Sequence, residues 1–139
     1  MTDDRARLGP ILRAARTIAV VGLSPDPARP SHGVAGFLQR AGYRILPVRP
    51  GGATVLGERS FDTLTDAVRA EGPVDIVNIF RRPDAVPALL PALLAARPKL
   101  VWMQLGVHDV PTRDALEAAG IPVVMDRCLM VELPRLVSE

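Results

Sequence analysis

The sequence predicts an α/β fold in which a five-stranded parallel sheet is covered by helices on both faces. Three observations predict it. Short apolar runs alternate with helical patterns from one end of the chain to the other. Those runs are almost continuously apolar, as in strands buried on both sides, rather than alternating apolar and polar. The first run, Thr17-Ile-Ala-Val-Val-Gly-Leu-Ser24, passes through Gly22 into a polar loop, the pattern of a first βα turn in a doubly wound, Rossmann-like sheet. Right-handed crossovers then give an expected strand order of 3-2-1-4-5.

The elements follow in order. An N-terminal helix, α1, is expected over residues 4–15 with a break at Gly9-Pro10, and β1 over residues 18–22. Helix α2 (residues 32–41) carries Val34, Phe37, Leu38 and Ala41 at helical spacing and stops at Gly42. Strand β2 spans residues 43–48. A loop with Gly51-Gly52 and Leu56-Gly57 leads to a short helix α3 near residues 64–70. Strand β3 spans residues 74–80 and is apolar except at Asp75 and Asn78. Pro83 suits the first position of helix α4, which carries Val86, Leu89, Leu90, Leu93 and Leu94, although Pro87 and Pro91 interrupt it. Strand β4 is residues 100–104, helix α5 is residues 112–119 ending at Gly120, and β5 is residues 122–125. A last amphipathic stretch, α6, holds Leu129, Val131, Leu133 and Leu136.

With 139 residues, 48% of them hydrophobic, the chain is expected to form one domain with a proper core, the first 16 residues being a helical extension. No apolar run approaches the roughly 18 residues of a spanning helix. The opening Met1-Thr-Asp-Asp-Arg5 lacks a signal peptide's apolar stretch, so the expected location is the cytoplasm. A lone cysteine, Cys128, excludes an internal disulfide and a cysteine-rich zinc site. Sixteen of the seventeen basic residues are arginine, a bias that GC-rich coding also produces. They are scattered, net charge is only +2 and aromatics make up 4%, so nucleic acid is not an expected partner.

In an open α/β sheet the ligand lies beyond the carboxyl ends of the strands, near the point where strand order reverses. Those ends read Gly22-Leu23-Ser24, Val48-Arg49-Pro50, Phe80-Arg81-Arg82-Pro83, Gln104-Leu105-Gly106 and Asp126-Arg127-Cys128. They turn polar where the core is apolar, and three of them bring arginines, with Arg29 of the first loop expected on the same rim. A guanidinium fork matches phosphate oxygens, and the start of α2 adds amide donors and the positive end of a dipole. The first loop lacks the later glycines of G-x-G-x-x-G, reading Pro25-Asp-Pro-Ala-Arg-Pro-Ser31 instead. An acidic residue for a ribose 2′-hydroxyl is absent after β2, where Arg49 stands. An arginine there suits a nucleotide with an extra phosphate on its ribose, which points to NADP-like or coenzyme A-like ligands.

Plainer roles compete at each position. Any one of these arginines alone is as well explained by a solvated loop. Ser31 reads as the N-cap of α2, whether or not its hydroxyl also meets phosphate. Tyr43 and Phe37 read as core, His32 and His108 as surface residues. Cys128 reads as a small buried residue, with thiol chemistry as the alternative. No Ser-His-Asp set, paired carboxylate site or metal constellation stands out.

A resemblance rests on the same residues. Val20-Val-Gly-Leu-Ser24, Arg29-Pro-Ser31, Gly42-Tyr-Arg-Ile-Leu-Pro-Val-Arg-Pro50, Leu56-Gly57, Val74-Asp-Ile-Val77, Phe80-Arg-Arg-Pro83, Val101-Trp-Met-Gln-Leu-Gly106 and Met125-Asp-Arg-Cys128 together resemble the stand-alone CoA-binding protein family. That family is similar to the N-terminal CoA-binding domain of the succinyl-CoA synthetase α subunit. The resemblance, over residues 17–136, implies a Rossmann-like fold with the pyrophosphate on the first loop and Val48-Arg49-Pro50 near the phosphorylated ribose. It also implies Phe80–Pro83 and Gln104–Gly106 flanking adenine and pantetheine. Two departures stand out: Arg49 replaces an asparagine common in the family, and prolines with Arg29 replace the synthetase's glycine-rich loop. The chain stops at Glu139, where the synthetase continues into its phosphohistidine domain, so that chemistry is not expected.

The expected ligand is therefore coenzyme A or an acyl-CoA, without turnover by the chain alone. The expected contacts are Gly22, Leu23, Ser24, Arg29, Ser31, Val48, Arg49, Pro50, Phe80, Arg81, Arg82, Gln104 and Gly106. An NADP(H)-binding or redox-sensing domain is the first alternative. A small acyl-transfer or thiol-exchange enzyme using Cys128 is the second.

Overall fold

A computed structural model describes residues 4–138; residues 1–3 of the expected helical extension, which carry most of the acidic Met1–Arg5 stretch, and Glu139 lie outside the described residues. Five parallel strands form one sheet: β1 Thr17–Val21, β2 Arg44–Val48, β3 Ile76–Ile79, β4 Leu100–Met103 and β5 Val123–Val124. Helices α1 (Asp4–Ala14), α2 (Pro30–Arg40) and α6 (Leu129–Val137) cover one face. Helices α3 (Leu64–Glu71), α4 (Leu90–Ala96) and α5 (Val110–Ala118) cover the other. The expected class, a Rossmann-like doubly wound sheet, is the one the chain adopts.

The strand order is 2-1-3-4-5, not 3-2-1-4-5, and Pro47 gives the reason. Within β2 the backbone N–H groups alternate between two sides. The Arg44 N–H donates inward to Arg16 O at 2.8 Å, whereas the Arg49 N–H donates outward to Phe61 O at 2.8 Å. Pro47 has the parity of Arg49, so its missing N–H faces outward. A further strand there would lose a ladder bond, which confines β2 to the edge of the sheet. The outer side instead takes a single residue, Phe61, whose N–H donates to Pro47 O at 2.9 Å. Strand β3 therefore pairs with β1, and order reverses between those two.

Local departures from the expected elements have similar causes. Helix α1 runs unbroken through Gly9-Pro10, because the break is outweighed by packing on α6. Gly9 is where the two helices come closest: a Cβ there would lie 2.6 Å from Leu136 O. Leu8 and Leu12 then bury fully with Leu133 and Leu136; each such side chain stabilises the fold by about 1.5–3 kcal/mol. Helix α4 does not begin at Pro83. Prolines 83, 87 and 91 lack the donors of an α ladder, so the segment makes 3₁₀ turns at Pro83–Ala85 and Pro87–Leu89 before α4 proper. The loop after β2 contains a small hairpin, Thr54–Val55 with Glu58–Arg59, turned at Leu56-Gly57 with both residues at positive φ. On α6, Leu129, Leu133 and Leu136 are buried but Val131 faces solvent.

An ion cluster fastens α1 to α6. The Arg127 guanidinium donates to Asp4 at 2.9 Å and to Glu132, and Arg135 donates to Glu132 at 2.7 Å. The hydrogen bond from Arg127 holds the Asp4 carboxyl below its ordinary value, and those from Arg135 and then Arg127 do the same for Glu132.

Two predictions follow from these contacts. Gly22 leaves β1 at φ +87°, and a Cβ there would collide with the Phe80 carbonyl oxygen and touch the Arg81 side chain. Gly22→Ala should lower the urea-unfolding free energy by at least about 2 kcal/mol. Gly33→Ala, in open space in the first turn of α2, should be neutral or stabilising by up to about 1 kcal/mol. The second concerns acid. Folded Asp4 and Glu132 bind protons less readily than their unfolded counterparts, so their contribution is full above the ordinary carboxylate range and lost as pH falls through it. The urea midpoint should drop between about pH 5 and about pH 3, and less steeply in Arg127→Met. Equal slopes would remove the cluster from the account of acid stability.

Candidate functional site

Where strand order reverses, the loops after β1 and β3 diverge from a point of close approach. The Phe80 N–H donates to Val21 O and the Gly22 N–H to Val48 O, each at 2.8 Å. These bonds lock the carboxyl ends of β3, β1 and β2 side by side, and only glycine fits between them. Above this edge lies a cleft of about 1180 Å³ that extends to the β4 and β5 ends.

The first loop is held by its own side chains. Ser24 Oγ accepts from the Asp26 N–H at 3.1 Å, and Asp26 accepts from the Ala28 N–H at 2.9 Å. Helix α2 starts earlier than expected, at Pro30, because proline suits the first helical position. Its N-cap is Arg29, not Ser31, and no side chain caps it. Ser31 is buried instead, and its hydroxyl accepts from the Ser24 N–H at 3.0 Å, fastening loop to helix. No acidic residue sits in the first turn of α2, so the positive end of its dipole is left to the cleft.

Arg29, Arg49, Arg81 and Arg82 line this end of the cleft, and among the described residues no carboxylate or histidine lines it. Some arginines elsewhere are paired with carboxylates, as Arg44 is with Glu71 and Arg113 with Asp114 and Glu117. Among the described residues Arg29, Arg49 and Arg81 have no carboxylate partner, and Arg82 has one loose exposed contact, 3.4 Å to Asp84. Concentrated positive charge without counter-charge is what an anionic ligand neutralises. The expected neighbour relation of β2 and β3 is corrected here. Arg49 and the Arg81-Arg82 pair approach β1 from opposite sides, because β1 lies between their strands.

The far end is apolar, lined by Leu105, Val107 and Met130; Leu105 is 69% exposed. Its floor carries one polar group, Gln104, which is only 5% exposed. Gln104 Oε1 accepts from the Leu129 N–H at 3.3 Å and from Asn78 Nδ2 at 3.2 Å. Asn78, fully buried, also donates to Trp102 O at 3.2 Å, while its own Oδ1 has no partner among the described residues. Because the backbone N–H of Leu129 must meet an oxygen, the Gln104 NH₂ is the free end of that amide. The loop beyond Gln104 is pinned by Asp126, whose carboxylate accepts from the Gly106 N–H at 2.6 Å.

Of the thirteen expected contacts, eleven line the cleft: Gly22, Ser24, Arg29, Ser31, Arg49, Pro50, Phe80, Arg81, Arg82, Gln104 and Gly106. Leu23 and Val48 do not; both are buried in the core on opposite faces of the sheet. Cys128 is not the buried residue expected: it is half-buried and lines the cleft. Arg127 is turned away onto Asp4 and Glu132. His32 and His108 stay out of the cleft. Gly33, Val34, Val107 and Met130 also line the cleft and are not among the expected contacts; Leu105, inside the expected Gln104–Gly106 stretch, lines it too. The signal for Leu105 was its exposed apolar position between polar strand-end residues.

Comparison with known proteins bears on the fold and the family. The uncharacterized protein YneT of Bacillus subtilis (strain 168) is 37% identical over 128 residues, covering 92% of this chain and 93% of that one. The structure of cell-free ID.343 from Thermus thermophilus superposes with a TM-score of 0.90 at 47% identity, over 97% of this chain and 99% of that one. A dinucleotide-forming acetyl-coenzyme A synthetase 1 from Ca. Korarchaeum cryptofilum shares the fold alone. Its TM-score is 0.67 at 19% identity, over 89% of this chain and 27% of that one. The model of the CoA binding domain family matches residues 16–134, and the chain belongs to that family.

Proposed function

We propose that the chain binds coenzyme A across the carboxyl edge of its sheet, without catalysing a reaction alone. The observation that carries this reading is the division of one cleft into two chemistries. At the β1–β2–β3 end are four guanidiniums, the start of α2 and, among the described residues, no carboxylate; at the β4–β5 end are apolar side chains with the amide of Gln104. Coenzyme A is divided in the same way, into a phosphorylated nucleotide and a long, largely uncharged arm. Arg49, at the end of β2, is the group for the 3′-phosphate. Arg29, the first amides of α2 and the Arg81-Arg82 pair hold the pyrophosphate.

The arm fits the remaining distance. Neighbouring strands lie about 4.8 Å apart, so the line from β1 to β5 is about 14 Å. From pyrophosphate to sulfur the arm has about 13 bonds, or about 15 Å at the roughly 3.5 Å per three bonds of an extended amide chain. Among the described residues the lining offers no carboxylate or histidine as a general base for thioester hydrolysis.

Thermal unfolding tests the reading. Coenzyme A at about 100 times its dissociation constant should add about 2.7 kcal/mol to stability. A melt that NADP shifts and coenzyme A leaves in place would replace this reading with the NADP one. Titration calorimetry then tests the assignments. A charge-assisted bond is worth about 1.5–3 kcal/mol, so Arg49→Ala should weaken coenzyme A by about one to two decades. It should barely affect dephospho-CoA, whereas Arg29→Ala should weaken both. Equal losses in Arg49→Ala would move the 3′-phosphate to Arg81 or Arg82.

A further inference from the structure

One reactive group in the cleft is left without a role, the thiol of Cys128. It lies at the apolar end, half-buried and free of any disulfide. The same end carries an independent sign of a ligand. Gln104 is 95% buried and lines the cleft, yet its NH₂ has no acceptor among the described residues. Its orientation is fixed from behind by Asn78 and by the N–H of Leu129, the residue next to Cys128. The NH₂ is thus a donor of fixed orientation that opens onto the cleft, and a ligand lying there meets it without displacing any acceptor of the chain. A carbonyl of the pantetheine arm is such an acceptor, and an arm hydrogen-bonded at Gln104 would run its sulfur toward the β5 end.

We propose that Cys128 is a covalent docking point for the coenzyme A sulfur, formed by exchange with coenzyme A disulfide. The proposal rests on the reading of the cleft as a coenzyme A site. Deprotonated Cys128 attacks one sulfur of the coenzyme A disulfide. The Sγ–S bond forms as the original S–S bond breaks, and the second coenzyme A leaves as a thiolate that takes up a proton from water. One disulfide is consumed and one is made, so no outside oxidant is needed. The chain becomes a reader of the balance between oxidised and reduced coenzyme A, with the arginine end selecting the nucleotide and the cysteine recording its redox state.

The test uses the full chain, reduced and desalted, and intact-mass spectrometry without reductant. Coenzyme A disulfide should add one coenzyme A per chain, removable by dithiothreitol and absent in Cys128→Ser. Because binding precedes exchange, the adduct should form at least about tenfold faster than with 2-hydroxyethyl disulfide at the same concentration. Excess 3′,5′-ADP, which carries the nucleotide end without the arm, should slow it toward the slower rate. Equal rates with the two disulfides, or no adduct, would overturn the proposal. A parallel melt with reduced coenzyme A and dithiothreitol separates the two readings. A shifted melt without selective exchange refutes only the covalent step, and an unshifted melt refutes coenzyme A binding itself.

Discussion

The closeness of Gly22 to Phe80 is the constraint on which the molecule's business end depends. The sheet reverses its winding between β1 and β3, and at that reversal the loops of two adjacent strands must part without leaving a gap. They do so by passing at backbone contact, which a side chain at position 22 would prevent. The bonds Phe80 N–H to Val21 O and Gly22 N–H to Val48 O hold three strand ends in one plane. Everything the loops carry, Arg29 and Ser24 on one side and Arg81 and Arg82 on the other, takes its position from that junction. At the opposite end of the same strands Asp75 does a complementary job. Its carboxylate accepts from the Arg16 and Thr17 N–H groups at 2.8 and 3.2 Å, fixing the register of β3 against β1 where both begin.

Charge is distributed by the same logic. Between α1 and α6, Arg127 and Arg135 are matched by Asp4 and Glu132 and so serve the fold. Around the cleft the matching stops. Exposed pairs contribute little stability in any case, so leaving Arg29, Arg49 and Arg81 unpaired costs the fold little. It leaves an electropositive rim over the positive end of α2. Further along the cleft the strand ends carry apolar side chains, and Gln104 among them is oriented by partners buried behind it. The cleft thus changes character along its length, strand by strand.

The fold class was legible because each strand is apolar on both faces and each helix is not, and burial on two sides leaves that mark in any doubly wound sheet. The strand order is legible too, in Pro47; crossover handedness alone permits both arrangements. Adjacency to a strand end is not enough to bring Leu23 and Val48 into the cleft. Strand ends present residues alternately to cleft and core, and the chain text does not say which. Cys128 departs from expectation for a related reason: a small residue at a strand end reads as buried, and here it follows a turn with positive φ at the non-glycine Asp126. The prolines of α4 announced a broken helix. The arginine rim was legible because arginines recurring at several strand ends coincide in space once the strands are parallel.

The proline in β2 has a consequence beyond its own sheet. A parallel sheet with a bare edge invites another chain to add a strand, the first step of edge-to-edge association and aggregation. Here one edge has Pro47, which has no donor to offer, and a strap at Phe61 that occupies the carbonyl beside it. The opposite edge is β5, only two residues long and preceded by Pro122. Neither border gives an incoming strand a run of free donors and acceptors. Two copies of this chain are thereby discouraged from merging into a continuous ten-stranded sheet, and any self-association is directed to helical surfaces or to the mouth of the cleft.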